Sequence, residues 1–305
     1  MILRDLVFWL SAKKWFTTPI ARTGMRLGFA RRFIAGEQLE DALRAARELT
    51  GRGYVAMLNR LGEYVNDRRE AEASYQNYLE MLTELARGQI NCSISIKPTQ
   101  LGLLFDPKLC RELTLKLVRE AAARGNFVEM DMEASDSVEA TLDLFEAVRR
   151  EHENTGLAVQ CYLYRTEKDL ERLKPLRPKI RLVKGAYREP ATLAFPKKKQ
   201  VDESYRKLTR KLFSDGFTPA IATHDPKMIE DAKQVAREHG FGPDRFEFQM
   251  IYGVRRDLQE QLRQEGYRMR VYIPYGTEWL PYFMRRLAER PANLWFVLKA
   301  MLSGR

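Results

Sequence analysis

Short apolar runs alternate with amphipathic stretches along most of the chain. The runs are Gly53–Asn59 (GYVAMLN), Ile90–Lys97 (INCSISIK), Phe127–Met132 (FVEMDM), Leu157–Leu163 (LAVQCYL), Ile180–Lys184 (IRLVK), Pro219–Thr223 (PAIAT), Phe246–Met250 (FEFQM) and Met269–Ile273 (MRVYI). Read as strands, they are separated by helical patterns at Glu70–Ala86, Pro107–Arg124, Val138–Arg149, Glu167–Leu173, Val201–Phe213, Pro226–Glu238, Arg255–Gln264 and Glu278–Glu289. Strand-then-helix units in that number predict an α/β fold, a closed (β/α)8 TIM-type barrel. An open doubly wound sheet would usually carry a GxGxxG turn after its first strand, and the chain has none. Glu37–Arg52 reads as an extra helix ahead of the first strand. With no internal repeat or low-complexity linker, the expected organisation is an N-terminal helical arm over residues 1–50 and one catalytic barrel over 51–305. Glu189–Lys199, with two prolines and a lysine run, predicts a long surface loop.

Length and composition are consistent with this picture. The chain has 305 residues, 45% of them hydrophobic and 30% charged, which is the composition of a globular protein. Cys92, Cys110 and Cys161 are odd in number and widely spaced, and His152, His224 and His239 form no ligand spacing. Reduced, buried thiols in a cytoplasmic protein are therefore expected, and no metal site.

Charge changes the picture at one end. The net charge is +11, and residues 1–36 hold seven Lys or Arg (Arg4, Lys13, Lys14, Arg22, Arg26, Arg31, Arg32) against Asp5 alone. The positive balance thus belongs largely to one segment, so no nucleic-acid partner is expected for the barrel. The same segment carries Leu6, Val7, Phe8, Trp9, Leu10, Trp15, Phe16, Met25, Leu27, Phe29 and Phe33. Charges interrupt every window of roughly 20 residues, which excludes a membrane span. Two readings stay open: a basic amphipathic helix on an anionic membrane surface, or an arm packed on the barrel with its basic face solvated.

Catalytic groups of such barrels sit at the carboxyl ends of the strands. Those ends read Lys97, Asp131 and Glu133, Gln160, Arg181 and Lys184, Thr223–His224–Asp225, Gln249 and Tyr272. A mouth with several cations and few acids suits a ligand bearing carboxylate or phosphate. The helix after the last strand adds Trp279, Tyr282, Arg285, Arg286 and Glu289, the acid spaced to pair with either arginine.

Seven segments carry a resemblance. SIKPTQLGL (Ser95–Leu103), DME (Asp131–Glu133), VQCYL (Val159–Leu163), RLVKGAYRE (Arg181–Glu189), ATHD (Ala222–Asp225), FEFQMIYG (Phe246–Gly253) and RVYIPYGTEWLPYFMRRLAERPAN (Arg270–Asn293) resemble, in order and spacing, the proline dehydrogenase family. The match covers about residues 50–295, and its order and spacing resemble the stand-alone bacterial enzymes and also the proline dehydrogenase domain of proline utilisation A. It implies a flavoprotein with FAD at the barrel mouth, oxidising L-proline to pyrroline-5-carboxylate by hydride transfer. It implies that Lys97, Arg285 and Arg286 bind the proline carboxylate, that Glu289 holds the arginine pair, and that Tyr187, Tyr272 and Tyr282 wall the substrate pocket. By the same resemblance, Asp131 and Arg181 lie at the reacting centre. Met132, Gln160, Arg181, Lys184, Gly185, Ala186, Thr223 and His224 are implied to line the cofactor. A quinone-type electron acceptor is implied as well, which gives residues 1–36 a reason to touch the inner face of the cell membrane. Their apolar face also leaves self-association open. Pro98 after Lys97 confines the lysine to extended backbone, as a strand end requires.

Three other readings compete. A Schiff-base aldolase would use Lys97 or Lys184 as its amine. A flavoenzyme for another cyclic or N-alkyl amino acid would carry the same carboxylate clamp. A basic adaptor acting through residues 1–36 would show steep salt dependence and no turnover.

Overall fold

A computed structural model describes residues 30–62 and 64–280. Tyr282, Arg285, Arg286, Glu289 and most of the basic arm lie outside the described residues.

Eight parallel strands close in sequence order, β1 (Val55–Arg60), β2 (Cys92–Ile96), β3 (Val128–Met130), β4 (Thr155–Gln160), β5 (Lys179–Val183), β6 (Thr218–Ala222), β7 (Glu247–Ile251) and β8 (Arg268–Tyr275). The ring is sealed by β1 on β8, Val55 opposite Arg270 and Leu58 opposite Ile273. The chain is thus the (β/α)8 barrel that the pattern predicts. Helices α1 (Leu39–Gly51), α2 (Arg68–Arg87), α3 (Pro107–Ala123), α4 (Val138–Glu151), α5 (Thr166–Leu173), α6 (Lys198–Ser214), α7 (Pro226–Glu238) and α8 (Arg256–Gln264) accompany the strands. Local chemistry fixes where several of them begin. Pro107 and Pro226 each occupy the first turn, where a missing N–H costs nothing. The preceding carboxylates cap the free amides, Asp106 accepting from Leu109 N at 3.0 Å and Asp225 from Lys227 N at 3.1 Å.

Alternation along the strands sorts the core. Ile94 and Ile96, Val128 and Met130, Ile180 and Leu182, and Phe248 and Met250 face outward into the apolar layer beneath the helices. Burying each such side chain contributes about 1.5–3 kcal/mol. Helix α1 joins that layer through Ala42, Leu43, Ala46 and Leu49. The intervening residues point into the barrel, and many are polar: Ser93, Ser95, Glu129, Asp131, Arg181, Glu247, Gln249 and Arg270 are all buried.

Differences from the sequence-based expectation are local. The fourth strand ends at Gln160 rather than Leu163, because the chain turns at Cys161 and Thr166 Oγ1 donates to Gln160 O at 2.6 Å. The loop after β5 ends at Lys197 rather than Lys199. The side chain of Gln200 accepts from Lys197 N at 3.3 Å and starts α6 there. Cys92, Cys110 and Cys161 are buried free thiols, and burial pushes the pKa of the first two up to about 12. No helix among the described residues is long and apolar enough to cross a membrane.

Candidate active site

The carboxyl ends of all eight parallel strands open on one face, and the polar side chains converge there on one carboxylate. Asp131, just past β3, accepts from Ser95 Oγ at 2.5 Å, Lys97 Nζ at 2.9 Å and Tyr272 OH at 3.0 Å. Arg181 Nη2 donates to the same carboxylate oxygen as Ser95, and Asn59 Nδ2 stands 3.5 Å from the other. Four strands or strand ends (β1, β2, β5 and β8) thus aim donors at a residue carried by β3. Arg181 also lies over the Tyr272 ring, 5.3 Å from its centroid.

Electrostatics follow from that geometry. Burial alone would raise the Asp131 pKa, but Lys97 and then Arg181 outweigh it and hold the carboxyl well below the ordinary range. Burial would likewise lower Lys97, yet Asp131, then the Tyr187 and Tyr272 hydroxyls, raise it well above the usual lysine value. Arg181 is raised too, by Glu129 and Asp131 against its desolvation. Lys97, Asp131 and Arg181 are therefore all ionised at neutral pH. Lys97 is also seated through its backbone, its N–H donating to Tyr78 OH at 3.1 Å.

The remaining expected residues surround this centre. Gln160 ends β4 and donates from Nε2 to Glu133 O at 2.8 Å, while Glu133 accepts from Thr99 N and Oγ1 at 3.1 and 2.7 Å. Met132 is buried beside Asp131. Lys184, half-buried, lies 2.5 Å from Asp202 and 3.4 Å from Asp225. Gly185 has φ +119°, and a Cβ there would sit 2.3 Å from the Tyr162 ring, so the backbone lies flat on that ring as only glycine permits. Ala186 and Tyr187 follow, half-buried. Their loop is tied across to the segment after β3, since Ser135 N donates to Glu189 at 2.8 Å. Thr223 Oγ1 accepts from Asp225 N at 3.1 Å. His224 Nε2 accepts from Ile251 N at 3.0 Å, which puts the proton of the neutral ring on Nδ1.

The barrel therefore gathers Lys97, Asp131, Arg181 and Tyr272 into one cluster and arrays Met132, Gln160, Lys184, Gly185, Ala186, Tyr187, Thr223 and His224 on the same face. Ser95, Asn59 and Glu129 touch the cluster, and the reading of strand ends does not single them out. Their signal is the alternation: SIS, VAMLN and VEMD each place the polar residue on the inward face. No His, Cys, Asp or Glu group among the described residues could hold a metal ion.

The chain is similar to known proteins in sequence and in fold. A family model described as proline dehydrogenase matches residues 42–299. The chain is 43% identical over 302 residues to proline dehydrogenase 2 of Bacillus subtilis (strain 168), covering 99% of each chain. It is 41% identical to the proline dehydrogenase of Deinococcus radiodurans, covering 90% of each. Among solved structures, proline utilization A (PutA) from Bdellovibrio bacteriovorus superposes with a TM-score of 0.81 at 25% identity, over 91% of this chain. The chain spans about a third of that longer protein, 34% of its length. By sequence and by fold, the chain belongs to the proline dehydrogenase family.

Proposed function

We propose that the protein oxidises L-proline to pyrroline-5-carboxylate at the barrel mouth, with FAD as cofactor and a quinone-type acceptor taking the electrons onward. The observation that carries this reading is the buried cluster in which Asp131 holds Lys97, Arg181 and Tyr272 together beneath an open face. Family membership supports the substrate, and the charge at the mouth supports a doubly anionic cofactor tail and an amino-acid carboxylate.

The residues fit such a cofactor. Lys184 is a cation for a diphosphate, and Gly185 brings a backbone without side chain to the rim. Asn59 Oδ1 is buried beside the cluster with no hydrogen-bond partner among the described residues, an acceptor available to the cofactor. Arg181, Gln160, Met132, Ala186, Thr223 and His224 complete the proposed lining. Bound FAD supplies the two-electron acceptor for a hydride.

The chain's own groups do the rest. Lys97, with Arg285 and Arg286, binds the proline carboxylate, and Glu289 holds the arginine pair. Tyr187, Tyr272 and Tyr282 wall the ring and exclude water. Asp131 orients Lys97 and Arg181 at once, so the substrate clamp and the cation at the reacting centre share one anchor. The ring amine loses its proton, a hydride leaves carbon 5, and a C=N bond forms between that carbon and the nitrogen. Orientation of this kind supplies several kcal/mol toward a near-attack geometry. A Schiff-base role is disfavoured for Lys97 and Lys184, because each amine is ion-paired with a carboxylate, at 2.9 and 2.5 Å respectively.

Contact with an anionic membrane surface belongs to the same proposal. Arg31 and Arg32 join Arg255, Arg256 and Asp257 around an open cleft of about 570 Å³. The cleft lies on the loop after β7, so the end of the basic segment reaches the mouth rim, where a quinone would be met. The test is proline-dependent reduction of a soluble quinone analogue. The wild-type protein turns over. Lys97→Met raises KM for proline by about 10- to 100-fold, the loss of a charged hydrogen bond worth about 1.5–3 kcal/mol. Turnover without proline specificity, or an unchanged KM in the variant, contradicts the assignment.

A further inference from the structure

Beneath the mouth cluster lies a second tier of charge that the proposed reaction does not use. Arg270 donates from Nε and Nη2 to the two oxygens of Glu247 at 2.7 and 3.0 Å, and from Nη1 to Ser93 Oγ at 2.9 Å. Lys179 Nζ is 2.6 Å from Glu247 and 3.4 Å from Glu129. Gln249 Nε2 donates to Glu247 at 2.7 Å and stands 3.4 Å from Glu129 Oε2. Every one of these groups is buried or nearly so. A barrel interior is ordinarily filled by branched apolar residues. Replacing a buried ion pair with well-packed apolar groups is often neutral or stabilising, so stability alone does not explain the tier.

Glu129 connects this tier to the mouth. Lys179 and Gln249 hold its Oε2, which leaves Oε1 facing Arg181 Nε at 3.0 Å. This is an ion-pair contact and not a directed hydrogen bond, and neither atom has a hydrogen-bond partner among the described residues. Space for it is built into the sheet. The lateral neighbours of Arg181 are Ala158 and Ala220, and those of Glu129 are Ser95 and Gly156. Small residues flank both long side chains on either side.

We propose that Glu129 is a positioning residue for the reaction, holding the Nε edge of Arg181 from below while Asp131 holds Nη2 from beside it. Carboxylates at two different nitrogens of a planar guanidinium restrict its rotation more than one carboxylate does. The inference rests on the reading that Arg181 faces the flavin. Glu129 also sets the local charge. It places one negative charge beside Arg181, and removing it takes that charge away.

Glu129→Gln keeps the side-chain volume and tests both consequences in the flavin-loaded protein. Proline reduces the bound flavin about a hundredfold more slowly, as for a group displaced by about 1 Å. KM for proline stays at the wild-type value, because Glu129 does not touch Lys97. The flavin potential, read by spectroelectrochemistry, moves to a more positive value as a buried negative charge is lost. Glu129→Asp keeps the charge with a shorter reach, so it restores the wild-type potential and still slows reduction about tenfold. Ser93→Ala perturbs the same tier through Arg270, touches neither Glu129 nor Arg181, and keeps the wild-type rate. The proposal is overturned if Glu129→Gln and Glu129→Asp both reduce at the wild-type rate, or if Ser93→Ala is slowed as much as they are. Should Glu129→Gln fail to fold, the rates of Glu129→Asp and Ser93→Ala separate positioning from general disruption of the tier. If Arg181→Met itself reduces normally, the reading of the mouth has failed and not the role of Glu129.

Discussion

Asp131 is a buried carboxylate with five donors around it, from Asn59, Ser95, Lys97, Arg181 and Tyr272. Removing its charge strands the buried Lys97 and leaves Arg181 to Glu129 alone, so Asp131→Asn costs about 3–5 kcal/mol of stability, measurable by urea unfolding. The pH dependence follows from the sign of the shift. The folded pKa of Asp131 lies below the unfolded value, held down by Lys97 and Arg181, and that of Glu247 lies below it through Arg270 and Lys179. Their stabilisation is therefore complete above about pH 4, and it is lost as pH falls toward the folded values. Unfolding followed from pH 7 down to acid should show this loss in the wild type and a shallower one in Asp131→Asn. An equally steep profile in the variant contradicts the assignment. Gly185 is the other residue on which the site depends. Gly185→Ala meets both a positive φ and the Tyr162 ring, so the Lys184–Tyr187 loop must shift. Flavin affinity, read by fluorescence on titration, should fall in that variant while thermal unfolding of the barrel changes little. Unchanged affinity would mean that the loop does not contact the cofactor.

At the scale of elements, the strands are readable because apolar runs and helical periods differ in length and spacing. Pro226–Glu238 is legible to the residue, being bounded by Asp225–Pro226 and by the end of its apolar stripe. Strand ends are less so. LAVQCYL is apolar almost throughout, and nothing in it tells that the chain turns at Cys161. The site is legible where polar residues end strands, as with Lys97 and Asp131, and less legible one layer down. Glu129, Glu247 and Arg270 sit inside strands, where a single polar residue reads as a solvent face. Their pairing at i, i+2 with Asp131, Gln249 and Tyr272 is the available sign of a polar barrel interior. Gly253 marks a close approach that no local pattern predicts. It has φ +73°, and a Cβ there would lie 1.6 Å from Arg32 O, so the segment before α1 rests directly on the β7 loop. Gly253→Ala should loosen that segment and raise amide exchange at residues 30–36, with the exchange of β1 and β8 unaltered.

For the molecule as a whole, Arg31 and Arg32, at the end of the basic segment, share a cleft with the arginines of the β7 rim. A protein lacking residues 1–29 should lose sedimentation with anionic phospholipid vesicles at low salt and keep proline-dependent flavin reduction. Retained sedimentation would place the membrane contact elsewhere. The barrel, the mouth and the buried anchor all bear on one claim, that this chain takes electrons from L-proline into a bound flavin. The most direct measurement is the visible absorbance spectrum of the purified protein under anaerobic conditions, before and after L-proline is added. Oxidised-flavin bands that bleach on addition of proline are expected. Flavin bands indifferent to proline, or a colourless protein that FAD does not reconstitute, would contradict it.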